Sequence, residues 1–406
     1  MSRVIGKFRG LTSVSVLVVS LVLLAFGTQQ AAAEKGVTDT EIRLGMWVPL
    51  SGPISLLGNS TRDAVNIWVK EINDKGGIAG RKLKLIAYDD AASPQEAQAA
   101  IRRLLNQDEV FMLIGGSASG STLPVKPLIL QEKVPFIASI SSNMNLMRPF
   151  SRYIFRVYAN EENQANGLID WMMQGENIKR PAIIYNSNDY GVGGYNAMKE
   201  RLKSKYNLDL VAAERYNATD QDFSAQLLRI KAANPDGLLV FSFAAEAGII
   251  TRQAKELALT AKLFGGGGTA TPLFQRGAGD AAKGFESVFT MPEMPETSQL
   301  PGMATYRERL KEMHSNALPP GRPSEYDMSA YGAAKITEAA LQKVGRNLTR
   351  EAFIDAVESL KNFDTTVTFP VTYSKESHEG TDKVTIIRVG DDLRWQVDPA
   401  FKAKQK

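Results

Sequence analysis

Strand-length apolar runs alternate with amphipathic stretches along most of this chain, and that alternation narrows its possible folds more than any single motif. The runs lie at 42–48, 82–88, 110–114, 136–138, 182–185, 237–243 and 287–291. Between the first two, 62–75 puts Val65, Trp68, Val69 and Ile72 on one face at helical spacing. Segment 94–106 does the same with Ala97, Ile101, Leu104 and Leu105, and Pro94 suits a first helical turn. The stretches 196–206, 224–233 and 246–259 repeat the pattern. Strands alternating with helices predict an α/β protein with parallel sheets covered on both faces.

The pattern breaks at Pro292, Pro295 and Pro301, where extended chain is expected to cross between two halves of the molecule. Helices return at 303–314, 327–344 and 349–360. The segments 367–373, 383–389 and 393–397 read as β hairpins, with Gly390-Asp391-Asp392 as the last turn. A chain of 406 residues exceeds one ordinary core and suits two lobes.

The start of the chain says where it works. Arg3, Lys7 and Arg9 precede an apolar run from Val14 to Phe26, and Ala31-Ala32-Ala33 supplies small residues for cleavage. Residues 1–33 are therefore expected to be a secretion signal, too short in its core to span a bilayer. Those residues hold three of the 48 basic side chains, so the net charge of +4 becomes +1 without them, which removes the support for a nucleic-acid partner. The absence of cysteine excludes disulfides, a lipid-modified cysteine and thiolate chemistry. With only His314 and His378, far apart, neither a metal cage nor a catalytic triad is expected, and no cofactor is expected either.

In open parallel sheets, ligands bind beyond the carboxyl ends of the strands, where main-chain N–H groups are free. Five such ends here carry small, hydroxylated or aromatic residues. Gly115-Gly116-Ser117-Ala118-Ser119-Gly120-Ser121-Thr122 leads into a helix expected at 123–132 and suits a carboxylate. Ile140-Ser141-Ser142-Asn143 follows the next strand. Asn186-Ser187-Asn188-Asp189-Tyr190-Gly191 brings an aromatic, Ala244-Ala245-Glu246 opens a helix, and Gly265-Gly266-Gly267-Gly268-Thr269 follows 262–264. Taken together, the ends predict a cleft between two α/β lobes. Gly265 to Gly268 lacks the lysine and hydroxyl of a phosphate-binding loop.

Ile42-Arg43-Leu44-Gly45, Leu50-Ser51-Gly52-Pro53, Gly58, the run from Ile72 through Gly76-Gly77-Ile78-Ala79-Gly80-Arg81 to Leu83, Tyr88-Asp89-Asp90 and Asp189-Tyr190-Gly191 form a specific set. Through them the chain resembles the periplasmic branched-chain amino acid and amide-binding proteins, the type I substrate-binding components of ABC importers. The resemblance spans about 40–397. It implies a two-lobed α/β fold, each lobe a mostly parallel sheet flanked by helices, joined by three hinge crossovers and closing on ligand. The expected lobes are 37–158 plus 292–368 and 159–291 plus 369–406. It also implies a monomer in the periplasm, a small-molecule ligand, an ABC permease in the inner membrane as partner, and no enzymatic activity.

Carried over by motif, Ser119 matches the serine that holds the ligand carboxylate. Ser142, after Ser141, matches the hydroxyl residue touching carboxylate and ammonium, with Ile140 lending its carbonyl. Tyr190 matches the aromatic that closes from the second lobe, Phe243 a further aromatic, and Leu57 a side-chain-pocket position. One departure stands out. The amino-acid binders carry an acid in the loop after 264 to pair with the ammonium, and the matching position here is Gly267. Burying an ammonium without a partner costs several kcal/mol. The expected ligand is therefore a carboxylate lacking an α-amino group, such as an aromatic or keto acid, or an amide. The rival is that Asp189, Glu246 or Asp327 supplies the charge. Two other functions compete. A ligand sensor signalling to a membrane partner would use the same fold. A secreted serine hydrolase would need Gly-x-Ser-x-Gly, but Gly116-Ser117-Ala118-Ser119-Gly120 puts alanine at the centre.

Overall fold

Two sheets, one parallel and one mostly parallel, organise the chain, in line with the alternation. A computed structural model describes Met1 and residues 34–404; the expected secretion signal lies outside the described residues. Among these, no helix is long and apolar enough to cross a membrane.

The first sheet has the order β2-β1-β3-β4-β5, all parallel. Its strands are β1 (Glu41–Val48), β2 (Lys82–Asp89), β3 (Met112–Gly115), β4 (Phe136–Ala138) and β5 (Ile154–Arg156). The second contains β6 (Pro181–Asn186), β7 (Ala212–Tyr216), β8 (Gly237–Phe241), β9 (Lys262–Gly265), β10 (Glu286–Phe289), β11 (Thr385–Val389) and β12 (Trp395–Val397). Its order is β12-β11-β10-β9-β8-β6-β7, parallel except for the β10-β11 and β11-β12 pairs. Every residue of β3 and of β8 is buried, because helices cover both faces; that is why these strands read as unbroken apolar runs.

Three crossings join the sheets: between β5 and the helix Glu161–Gln174, between β10 and the helix Pro301–Met313, and between the helix Arg350–Glu358 and β11. The helix Glu325–Val344 returns to the first sheet and packs on the helix Ser55–Asp74. Tyr331 Oη donates to Glu71 Oε2 across that contact, at 2.6 Å.

Local signals explain several boundaries. Ser93 Oγ accepts from the Glu96 N–H and starts the helix Pro94–Asn106, whose Ala97, Ile101, Leu104 and Leu105 are buried. Asn188 Oδ1 accepts from the Gly191 N–H at 3.0 Å, so the helix Asp189–Tyr206 begins seven residues earlier than its apolar spacing suggests. Tyr190 therefore stands in its first turn.

Other expectations need correction. The first helix starts at Ser55, not near 62, because its buried face carries Ser60, Thr61 and Asp63 and hides from an apolar count. The helix expected at 123–132 is broken into Ser119–Thr122, a tight turn Leu123–Val125, and Lys126–Gln131. Pro124 and Pro127 lack the N–H groups a continuous helix uses. Segment 367–373 is no strand; Val371 makes only an isolated bridge to Phe363. Trp47 lies fully buried against Phe136, 4.9 Å between ring centroids. His378 is also buried, stacked on Phe155.

Candidate functional site

Each sheet has one point where the strand order reverses. In the first sheet it lies between β1 and β3, in the second between β6 and β8. Crevices open there at the carboxyl ends of the strands. The loops from both points meet around one cavity. From the first sheet come Leu57, Ser117, Ala118, Ser119, Ile140, Ser142 and Tyr158; from the second come Tyr190, Phe243 and Gly268; Tyr326 completes the wall. The cavity measures ≈ 20 Å³, little more than the space of one water molecule. The two halves are thus nearly closed on each other.

Two hydroxyl loops form the first-sheet side. Gly116 turns the chain after β3 with φ +63°, and a Cβ there would lie 2.4 Å from Phe136 Cζ, so glycine is required. The turn sends successive serines to different partners. Ser121 Oγ donates to Asp90 Oδ2 (2.8 Å) and Ser117 Oγ meets Thr61 Oγ1 (3.1 Å), so both are tied to the scaffold. Ser119 Oγ instead lies 3.3 Å from Ser141 Oγ, beside the cavity. The helix Ser119–Thr122 is only one turn long, so its dipole is small and the local hydroxyl and N–H groups supply the polarity.

Arg156, fully buried, shapes the second loop. It donates to the carbonyls of Ser142 (2.9 Å) and Asn143 (2.6 Å), and the Glu161 N–H also reaches the Ser142 carbonyl (3.0 Å). The loop is thereby held with the Ser142 side chain at the cavity. Asn143 then donates to the Asp189 carbonyl at 2.8 Å, a direct bond between the two halves.

Aromatics form the opposite wall. Tyr190 stacks on Phe243 with centroids 5.2 Å apart, and its hydroxyl accepts the Gly268 N–H at 2.9 Å. Burial drives the Tyr190 hydroxyl far above the usual tyrosine range, so it stays protonated.

Of the residues singled out from sequence, Leu57, Ser119, Ile140, Ser142, Tyr190 and Phe243 line the cavity. Ser141 stands behind Ser119, and Gly267 lies beside the lining residue Gly268. A Cβ on Gly267 would sit 2.8 Å from Gln164 Oε1 and 3.2 Å from the Tyr158 hydroxyl. Gln164 donates to the Ala159 carbonyl, while its own carbonyl is buried without a partner.

Among the described residues no acid lines this cavity. Glu246 is held by Asn186, Tyr216 and the Phe243 N–H. Asp327 is held by Arg322, Tyr306 and Ser324. Asp189 borders a separate polar groove. Sequence reasoning missed Tyr158 and Tyr326. Tyr158 follows the three-residue β5, too short to register as a strand, and Tyr326 opens a helix whose start was placed two residues late. Glu325, next to it, is fully buried; Thr290 Oγ1 donates to it at 3.0 Å, and burial pushes its carboxyl up to about 8.

The family described as periplasmic binding protein matches residues 41–393. The chain belongs to that family. Its members are binding proteins and not enzymes. Among relatives of this periplasmic binding protein, the Leu/Ile/Val-binding protein BraC3 of Rhizobium johnstonii is 26% identical over 331 residues, covering 82% of this chain and 87% of the relative. The leucine-specific-binding protein of Salmonella typhimurium is 28% identical over 338 residues, covering 82% and 87%. The crystal structure of a leucine binding protein, LivK, from Thermotoga maritima superposes with a TM-score of 0.77 at 22% identity, covering 88% of this chain and 97% of that one, which shows the shared fold.

Proposed function

We propose that the protein is the periplasmic receptor of an ABC importer and captures a small carboxylate that lacks an α-ammonium group. The observation that carries this reading is the cavity itself. It sets Ser119 and Ser142 opposite Tyr190 and Phe243, and it contains no acid among its described walls. Hydroxyls and N–H groups suit the anionic end of a ligand, with Ile140 contributing its carbonyl and Leu57 the apolar side. Gly267 leaves no carboxylate for an ammonium, and the space beside it is taken by Gln164 and Tyr158. The names of the relatives, binders of leucine, isoleucine and valine, support the carboxylate half of this assignment.

The lobes are 37–158 plus 292–368 and 159–291 plus 369–406, with the three crossings as hinge. Ligand contacts to both halves favour the closed arrangement over the open one. A monomer presents both lobes to a permease in the inner membrane, which is the proposed partner. Calorimetric titration with leucine and with its keto acid, 4-methyl-2-oxopentanoate, tests the ligand class. The keto acid is expected to bind and leucine to bind at least about tenfold more weakly, the ratio that about 1.4 kcal/mol of unpaired ammonium produces. Tight leucine binding would end the amine-free assignment.

A further inference from the structure

We infer that the polar groove bordered by Asp189 is a second binding site, for a linear polyammonium ion lying along the helix Asp189–Tyr206. The inference does not depend on which ligand the serine-lined cavity takes.

The groove, ≈ 500 Å³, is lined by the loop after β4, the start of the helix Glu161–Gln174 and one face of the helix Asp189–Tyr206. Glu161, only 2% exposed, stands at its heart. Its Oε1 accepts the Met144 N–H at 3.0 Å, while its Oε2 is buried with no partner among the described residues. A Cβ at Gly193 would collide with both carboxyl oxygens, so the glycine lets Glu161 lie directly against the second helix. Asp189, Asn196 and Glu200 share that helix face with Gly193, at steps of four, three and four residues. Among the described residues no hydrogen bond or ion pair engages the exposed carboxylates of Asp189 and Glu200. The cations of the groove are already paired, Arg148 with Glu162 (2.9 Å) and Arg201 with Asp170 (2.5 Å). Three carboxyl groups are thus left without a cation in contact.

They form a line. At about 1.5 Å per residue, Asp189 and Glu200 stand about 16 Å apart along the helix, with Glu161 over Gly193 about 6 Å from the first. A metal ion needs ligands that converge, and among the described residues no three acids do. Ammonium groups strung on methylene chains match a line of acids instead, and Asn143, Asn145 and Asn166 offer carbonyl acceptors beside it. Burial pushes the Glu161 carboxyl up to about 8, with Arg156 opposing the shift and Asp189 adding to it. An ammonium seated against it favours the charged form, so binding is expected to release a proton at pH 7.

The test is calorimetry of the purified chain with spermidine at pH 7, in phosphate and in Tris, at about 0.1 M salt. One saturable site per chain is expected, with close to one proton released. Glu161→Gln keeps an acceptor for the Met144 N–H and is expected to weaken Kd about tenfold and abolish the proton release. Glu200→Gln, at the exposed end, should weaken it about threefold. Glu256→Gln, exposed and outside the groove, should leave it unchanged. Thermal melts confirm that each variant folds. Absence of saturable binding would overturn the site. So would an unchanged Kd in the double variant Glu161→Gln with Glu200→Gln, or full displacement of spermidine by magnesium chloride at matched ionic strength.

Discussion

The main-chain N–H of Gly268 donates to the hydroxyl of Tyr190 over 2.9 Å, which ties the aromatic in the first turn of the helix Asp189–Tyr206 to the glycine loop after β9. The bond fixes the position of the ring. The ring is buried between Phe241 and Phe243, 4.6 Å and 5.2 Å away between centroids, and lines the cavity.

Removing that hydroxyl leaves the Gly268 N–H buried without an acceptor. Tyr190→Phe is expected to lower stability by about 1–3 kcal/mol, the usual penalty for an orphaned buried donor. Urea unfolding measures it. An unchanged midpoint would mean that the loop finds another acceptor.

Restoring an acid at position 267 meets a steric obstacle. Gly267→Glu forces its Cβ within 2.8 Å of Gln164 Oε1, so the single variant is expected to lose about 1–3 kcal/mol. Gln164→Ala in the same chain makes room and is expected to recover part of that loss, a coupling that a double-mutant cycle reads directly. Strict additivity would show that Gln164 does not occupy the vacated place.

Burial also sets a pH dependence. The carboxyls of Glu325 and Glu161 are both pushed up to about 8, from an ordinary value of 4.5. A raised folded-state value means that the unfolded chain releases these protons first. Their favourable contribution is complete below about pH 4.5 and is lost as pH rises toward 8. Each group contributes a slope of about 1.4 kcal/mol per pH unit in that window. Glu325→Gln keeps an acceptor for Thr290 and removes one titration, so stability measured from pH 5 to 8 should fall less steeply than in the parent. An identical slope would place the Glu325 proton elsewhere.

Much of this architecture was legible because parallel strands buried on both faces leave continuous apolar runs, as 237–241 and 112–114 do. What escaped was short or polar. β5 has three residues, and between Gly58 and Ala64 the helix Ser55–Asp74 is buried through the polar Ser60, Thr61 and Asp63, so neither produces an apolar period. Strand-end logic and motif likeness pointed at Ser119, Ser142, Tyr190 and Phe243, which the fold gathers at one cavity. Neither could show that Gln164 and Tyr158 crowd Gly267. That relationship joins residues about 100 positions apart in sequence and exists only once the sheets are in place. Arg156 escaped for the same reason, since its role is to hold two carbonyls of a loop thirteen and fourteen residues earlier.

The central claim is that two hydroxyl loops grip a carboxylate. Its most direct test is titration of the double variant Ser119→Ala with Ser142→Ala against 4-methyl-2-oxopentanoate, beside the parent chain. Hydrogen bonds to a charged group are worth about 1.5–3 kcal/mol each, so Kd should weaken at least about a hundredfold while the melting temperature stays close to the parent's. An unchanged Kd in a folded double variant would contradict the account.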